Sequence, residues 1–150
     1  MNIQNKRKNI TIGIDFDGSC VTHDFPEVGK DIGAVPVLKR LVENGHKLIL
    51  FTMRCDRLLP GDTGDDKIQD KVGLFLTDAV NWFKENEIPL YGIQENPTQK
   101  RWTTSPKAYA ELYIDDAALG CPLINDSNMS HKPFVDWNAV EKLLEKDNII

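Results

Sequence analysis

An apolar run that ends in two acids constrains this chain more than anything else in it: Ile10-Thr11-Ile12-Gly13-Ile14-Asp15-Phe16-Asp17-Gly18-Ser19. The alternation of isoleucine with small residues, followed by a glycine and a hydroxyl, reads as a buried strand running out into a tight turn. Side chains alternate along an extended chain, so Asp15 and Asp17 point to one side and Phe16 to the other. Two carboxylates held at about 4 Å repel by roughly 4 kcal/mol at an effective dielectric near 20. A divalent cation is the simplest way to offset that cost, and all-oxygen donors favour magnesium. Gly18 lets the backbone turn sharply just past the acids.

At 150 residues with 41% hydrophobic side chains, the chain is long enough for one domain with a proper core. Residues 1–9 are polar and basic and read as a flexible N-terminal tail, leaving residues 10–150 as the folded domain. No apolar stretch after the tail is long enough for a signal peptide or a membrane span, so no membrane partner is expected. A net charge of −5 argues against general nucleic-acid binding. Cys20, Cys55 and Cys121 are widely spaced and odd in number, which does not read as a disulfide framework and suits a reducing cytoplasm.

Further along, Val35, Leu38, Leu41 and Val42 recur at helical spacing, with Pro36 in the first turn and Asn44-Gly45 as the stop. Lys47-Leu48-Ile49-Leu50-Phe51-Thr52 reads as a second buried strand. Residues 54–70 form a polar loop whose acids have the wrong spacing for a calcium site; it is expected to be mobile and to flank the site. Val72, Phe75, Leu76, Ala79, Val80 and Phe83 make a helical stripe that faces the core. A third strand is expected over Ile88–Ile93. A fourth runs over Ala110–Asp116 and ends in the paired acids Asp115-Asp116. For Trp102, packing is the expected role and base stacking the alternative. Asp136 is placed to cap a final helix whose apolar face is Trp137, Val140 and Leu144. Strands alternating with helices imply an α/β fold: a single Rossmann-like, three-layer domain with a mainly parallel sheet and no large cap. Such sheets bind ligands beyond the carboxyl ends of their strands, where Asp15, Thr52 and Asp115 fall.

Asp15-Phe16-Asp17-Gly18-Ser19, Thr52 after an apolar strand, Lys107, and Asp115-Asp116, in that order, resemble the four signatures of the haloacid dehalogenase (HAD) superfamily. The likeness covers roughly residues 10–120, with Ser19 where threonine is commoner. It implies a capless or minimally capped phosphatase. Asp15 would be the nucleophile that takes up phosphorus, and Asp17 the acid and then the base. Magnesium would be held by Asp15, the Asp17 carbonyl, Asp115 and Asp116. The Thr52 hydroxyl, backbone N–H groups near it such as that of Met53, and the Lys107 ammonium would hold the phosphate, with Lys100 and Arg101 as competitors of Lys107. Arg54 and His23 are candidates for the substrate rim.

The function expected is a magnesium-dependent phosphohydrolase working through an aspartyl-phosphate. Its substrate would be a phosphorylated small molecule or a phosphorylated polymer end, and an open site makes a homodimer plausible. The alternatives are a receiver-like phosphoacceptor and a catalytically silent interaction protein of the same fold. The order of the acids, D-x-D first and D-D last, disfavours the receiver.

Overall fold

In the computed structural model of the chain, residues 5–58 and 72–150 are described. Among these residues four short strands form a parallel sheet: β1 (Thr11–Ile14), β2 (Lys47–Leu50), β5 (Gly92–Ile93) and β6 (Leu112–Ile114). All pair in parallel, in the order β5-β2-β1-β6. The two earliest strands therefore lie at the centre, where the apolar runs need burial on both faces. Among the described residues three α-helices accompany them: α1 (Ala34–Glu43), α2 (Phe75–Glu85) and α3 (Trp137–Lys146). This is an α/β architecture compatible with a Rossmann-like domain. No helix among the described residues is long and apolar enough to cross a membrane.

One set of alternate strand residues, Ile12 and Ile14 with Leu48 and Leu50, joins Leu38 and Leu41 of α1, Ala79 and Phe83 of α2, and Trp137 and Val140 of α3 in one buried cluster. The three helices close in the same way. Gly45, Glu87 and Asn148 each follow the cap residue with positive φ. The next amide bonds back five residues, as in His46 N–H to Leu41 O, Ile88 N–H to Phe83 O and Ile149 N–H to Leu144 O. Asp136 caps α3 as the sequence predicts, accepting from the Ala139 N–H at 3.2 Å.

The elements differ from the sequence reading where short-range chemistry overrides periodicity. The helix expected from Val72 begins at Phe75, because Gly73-Leu74 (β4) pairs antiparallel with Asp56-Arg57 (β3). Asp56 then reaches the new helix start, accepting from Thr77 N–H at 2.9 Å and Thr77 Oγ1 at 2.6 Å. Of Ile88–Ile93 only Gly92-Ile93 is strand; Pro89 has no N–H to give, and the first sheet bond runs from Tyr91 N–H to Leu48 O. The fourth strand stops at Ile114 because Asp115 turns the chain, its Oδ1 accepting from Ala117 N–H. A second ribbon, Leu123-Ile124 (β7) with Phe134-Val135 (β8), was not expected. Most of the polar loop, residues 59–71, lies outside the described residues. Within the expected tail, Arg7 N–H bonds Asn148 O at 2.7 Å. Behind that contact the buried His46 accepts from Ile10 N–H and donates to Ile149 O, joining the start of β1 to the C-terminus.

Between β5 and β6 the chain makes no α-helix, only a 3-10 turn at Gln99–Arg101. Gln99 is buried and gathers this stretch. Its Oε1 accepts from the Asn96 and Tyr109 amides, and its Nε2 donates to the Ser105 and Lys107 carbonyls. A side chain added at Gly13 would meet Tyr113 Cδ1 at 2.8 Å and Ala110 Cβ at 3.8 Å, so this face of β1 is covered by the chain leading into β6.

Candidate metal and phosphate site

The register places the acids. Ile14 lies between Leu50 and Ile114, so the next residues, Asp15 and Asp115, leave adjacent strands at the same level. Asp15 N–H still bonds Ile114 O at 3.1 Å, and Phe51 N–H bonds Ile14 O at 2.8 Å. One oxygen each from Asp15, Asp115 and Asp116 falls within 4.8 Å of the others. The Ser19 hydroxyl joins two of them, 2.7 Å from Asp15 Oδ2 and 3.2 Å from Asp116 Oδ1, while accepting from the Asp116 N–H. It has one hydrogen for two carboxylates, so one acid must always go without it.

Burial pushes the Asp15 carboxyl up to about 8; the Ser19 hydrogen bond opposes this, and the neighbouring Asp116 and Asp115 add to it. Partly buried carboxylates gathered this closely are groups that a cation would neutralise. The donors are hard oxygens in a partly buried site, which fits magnesium.

The turn carrying Ser19 is held from behind by the last elements of the chain. Trp137 Nε1–H donates to Ser19 O at 2.7 Å, and Val135 N–H to Gly18 O at 2.9 Å. Gly18 sits at φ 81°, and a Cβ there would come within 2.1 Å of His23 Nε2 and 2.7 Å of Asp116 Oδ2. His23 and Asp116 meet across that bare glycine at 2.9 Å. His23, proposed from sequence as rim, is thus a partner of the acid cluster. The buried Cys20 points its thiol at the Asp15 carbonyl at 3.3 Å, and burial holds that thiol well above its usual range. All three cysteines are free.

Asp17 faces elsewhere, and here the sequence reading of Arg54 needs correction. Arg54 is 3% exposed, not a free rim residue. Its Nε and Nη2 hold the two Asp17 oxygens at 2.8 and 2.7 Å. The remaining N–H groups go to the carbonyls of Pro26, Glu27 and Phe75. Five donors meet five acceptors, leaving none for a substrate. Phe16 and Phe25 flank the guanidinium at 5.0 and 5.1 Å. The Asp17 carboxylate is accordingly absent from the cluster of three, although sequence spacing had placed it with Asp15.

Thr52 lies just past the end of β2. Gln94, at φ 65°, brackets its peptide, accepting from Thr52 N–H at 2.9 Å and donating to Thr52 O at 2.6 Å. The Thr52 N–H is therefore engaged, and its Oγ1 accepts from Arg54 N–H while keeping a hydrogen to donate. Met53 next to it is 97% exposed. Lys107 makes no bond to Asp15; its Nζ lies 5.7 Å from the Tyr113 ring centroid. Of its competitors, Lys100 is paired with Glu95 at 3.0 Å. Sequence reasoning gave no site role to the two glutamines, Gln94 and Gln99, or to Ser19 as a bridge. Of these only Ser19, next to the acids, carried a signal in the sequence.

These features define a class: an α/β protein with a carboxylate cluster beyond the carboxyl ends of adjacent parallel strands. A solved structure described as that of a conserved protein coded by a locus from Bacteroides thetaiotaomicron is similar, with a TM-score of 0.66 and 27% identity over 93% of this chain and 92% of that one. No family model and no curated protein matches the sequence.

Proposed function

We propose that the chain is a capless phosphomonoesterase of the HAD type, with magnesium as its resident ion. The observation that carries this reading is the meeting of Asp15, Asp115 and Asp116 at one place, from strands far apart in sequence. The irregular stretch 94–111 would then take the position of the third layer.

Asp15, Asp115 and Asp116 would hold the ion, which supplies charge neutralisation for acids and phosphate alike. The Asp15 carboxylate is the nucleophile: its oxygen bonds phosphorus as the bond to the leaving oxygen breaks. The leaving oxygen needs a proton, and Asp17 is the acid two residues away. Both Asp17 oxygens accept from Arg54, so the pair must open and Asp17 must take up a proton from water before it can act as the acid. Water then attacks phosphorus, Asp17 takes its proton, and Asp15 is released with inorganic phosphate. The Thr52 hydroxyl donates to a phosphate oxygen, and the Lys107 ammonium balances its charge.

The test is phosphate release by the purified chain with magnesium, from an aryl phosphate and a panel of phosphometabolites. Turnover that Asp15→Asn abolishes supports the reading. Stable retention of a phosphoryl group without turnover points to a receiver, and neither turnover nor magnesium binding points to a silent module.

A further inference from the structure

We propose that the cavity beside Lys107 receives the planar base of a nucleoside monophosphate. This rests on the phosphatase reading and names the substrate class of that site. The cavity measures about 340 Å³, and Trp102, Thr103, Ser105, Lys107, Tyr109 and Tyr113 contribute to its wall. That is within the range of small-molecule sites.

Its aromatic residues are not core. Trp102 is 59% exposed and Tyr109 47%, and the two rings meet edge to face at 5.3 Å. Apolar surface left in water costs about 25 cal/mol per Å², so two such rings side by side offer a stacking face that a ligand can dry. The stretch bearing them is not loose, because Gln99 ties its backbone at four points.

The polar groups around the rings suit a heterocycle with a phosphate. The Trp102 indole N–H has no partner among the described residues. Thr103 and Ser105 hydroxyls accept from the Ser105 and Lys107 amides, which leaves each a hydrogen to donate. Lys107 has no carboxylate partner among the described residues, and its ammonium lies over Tyr113 at the cavity wall. Tyr113 is level with Gly13, two residues before Asp15 and Asp115. That is about 7 Å along the strands, a gap that a pentose bridges between base and phosphate. A long polynucleotide fits less well, since the net charge is −5 and the nearby Lys100 is spent on Glu95.

The experiment measures equilibrium binding of adenosine 5′-monophosphate, adenosine and ribose 5-phosphate to the chain in EDTA. The nucleotide is expected to bind at least tenfold tighter than ribose 5-phosphate. Trp102→Ala should weaken the nucleotide by about tenfold, in line with the loss of one stacked base, and Trp102→Phe should restore most of it. Lys107→Ala should weaken the nucleotide but not adenosine. Equal binding of nucleotide and ribose 5-phosphate, or no change in Trp102→Ala with its folding verified by circular dichroism, overturns the proposal. Phosphatase activity that is indifferent to the base would overturn this subsite and leave the phosphatase reading standing. Absent turnover with base-dependent binding would do the reverse.

Discussion

Arg54 and Asp17 lie fork to fork, with both carboxylate oxygens engaged by one guanidinium whose side chain is 1% exposed. Because Arg54 also closes on the carbonyls of Pro26, Glu27 and Phe75, the pair ties the loop after β1 to the start of α2. Arg54→Met leaves a carboxylate and three carbonyls without their donor. Breaking one side of such a pair costs about 3–5 kcal/mol, and chemical denaturation is expected to show a loss of that order. Arg54→Lys should recover little, since an ammonium cannot reproduce the fork. A loss below about 1 kcal/mol in both variants would show that the pair does not hold the fold.

The proton affinity of Asp15 gives a second expectation. Its carboxyl is raised to about 8 in the folded chain, from 3.8. Between those values the folded state binds the proton and the unfolded state does not, so stability falls as pH rises through the window. Below it both states are protonated, and above it the loss levels off. In EDTA the unfolding free energy should therefore decline from pH 5 to pH 8, by up to about 1.4 kcal/mol per pH unit before solvent screening reduces it, and the melting temperature should fall with it. Asp15→Asn should flatten the decline. Magnesium should restore stability increasingly toward pH 8, because ion and proton compete for the same oxygens. A profile in EDTA that rises with pH would refute the assignment.

Gly18 tests the site's geometry more locally. Alanine there meets both a left-handed backbone and the His23–Asp116 contact, with Cβ 2.1 Å from His23 Nε2. Gly18→Ala is expected to lower stability by about 1 kcal/mol or more and to weaken magnesium binding measured by calorimetry. Unchanged affinity would mean that the acids do not depend on that turn.

What the sequence made legible follows from which forces act locally. Asp15 and Asp115 were readable because each ends an apolar run, and the parallel fold brings strand ends together. The stop at Asn44-Gly45 and the Asp136 cap were readable because capping is decided within a few residues. Arg54 was misread because its five acceptors come from segments that periodicity does not connect. Asp17 was grouped with Asp15 on strand alternation, but the chain has already left β1 at Ile14 and turns toward Arg54. The ribbons β3–β4 and β7–β8 are two residues a side, too short to show a period. Gln94 and Gln99 carry no pattern in the sequence, and only the folded chain shows their donors and acceptors filled by backbone.

Glu87 offers the remaining prediction, on stability alone. It occupies the position after the cap of α2 at φ 57°, where α1 has Gly45 and α3 has Asn148. A side chain with a Cβ is strained in that region, while glycine is not. No salt bridge holds Glu87 among the described residues, so its removal sacrifices no ion pair. Glu87→Gly should therefore stabilise the fold: relief of the left-handed strain, about 1 kcal/mol, outweighs the greater freedom glycine has in the unfolded chain. Urea denaturation should show a higher midpoint at unchanged slope. Glu87→Ala, which keeps the Cβ, should show no such gain. A gain shared by both variants would mean that the glutamate's charge rather than its backbone was the cost.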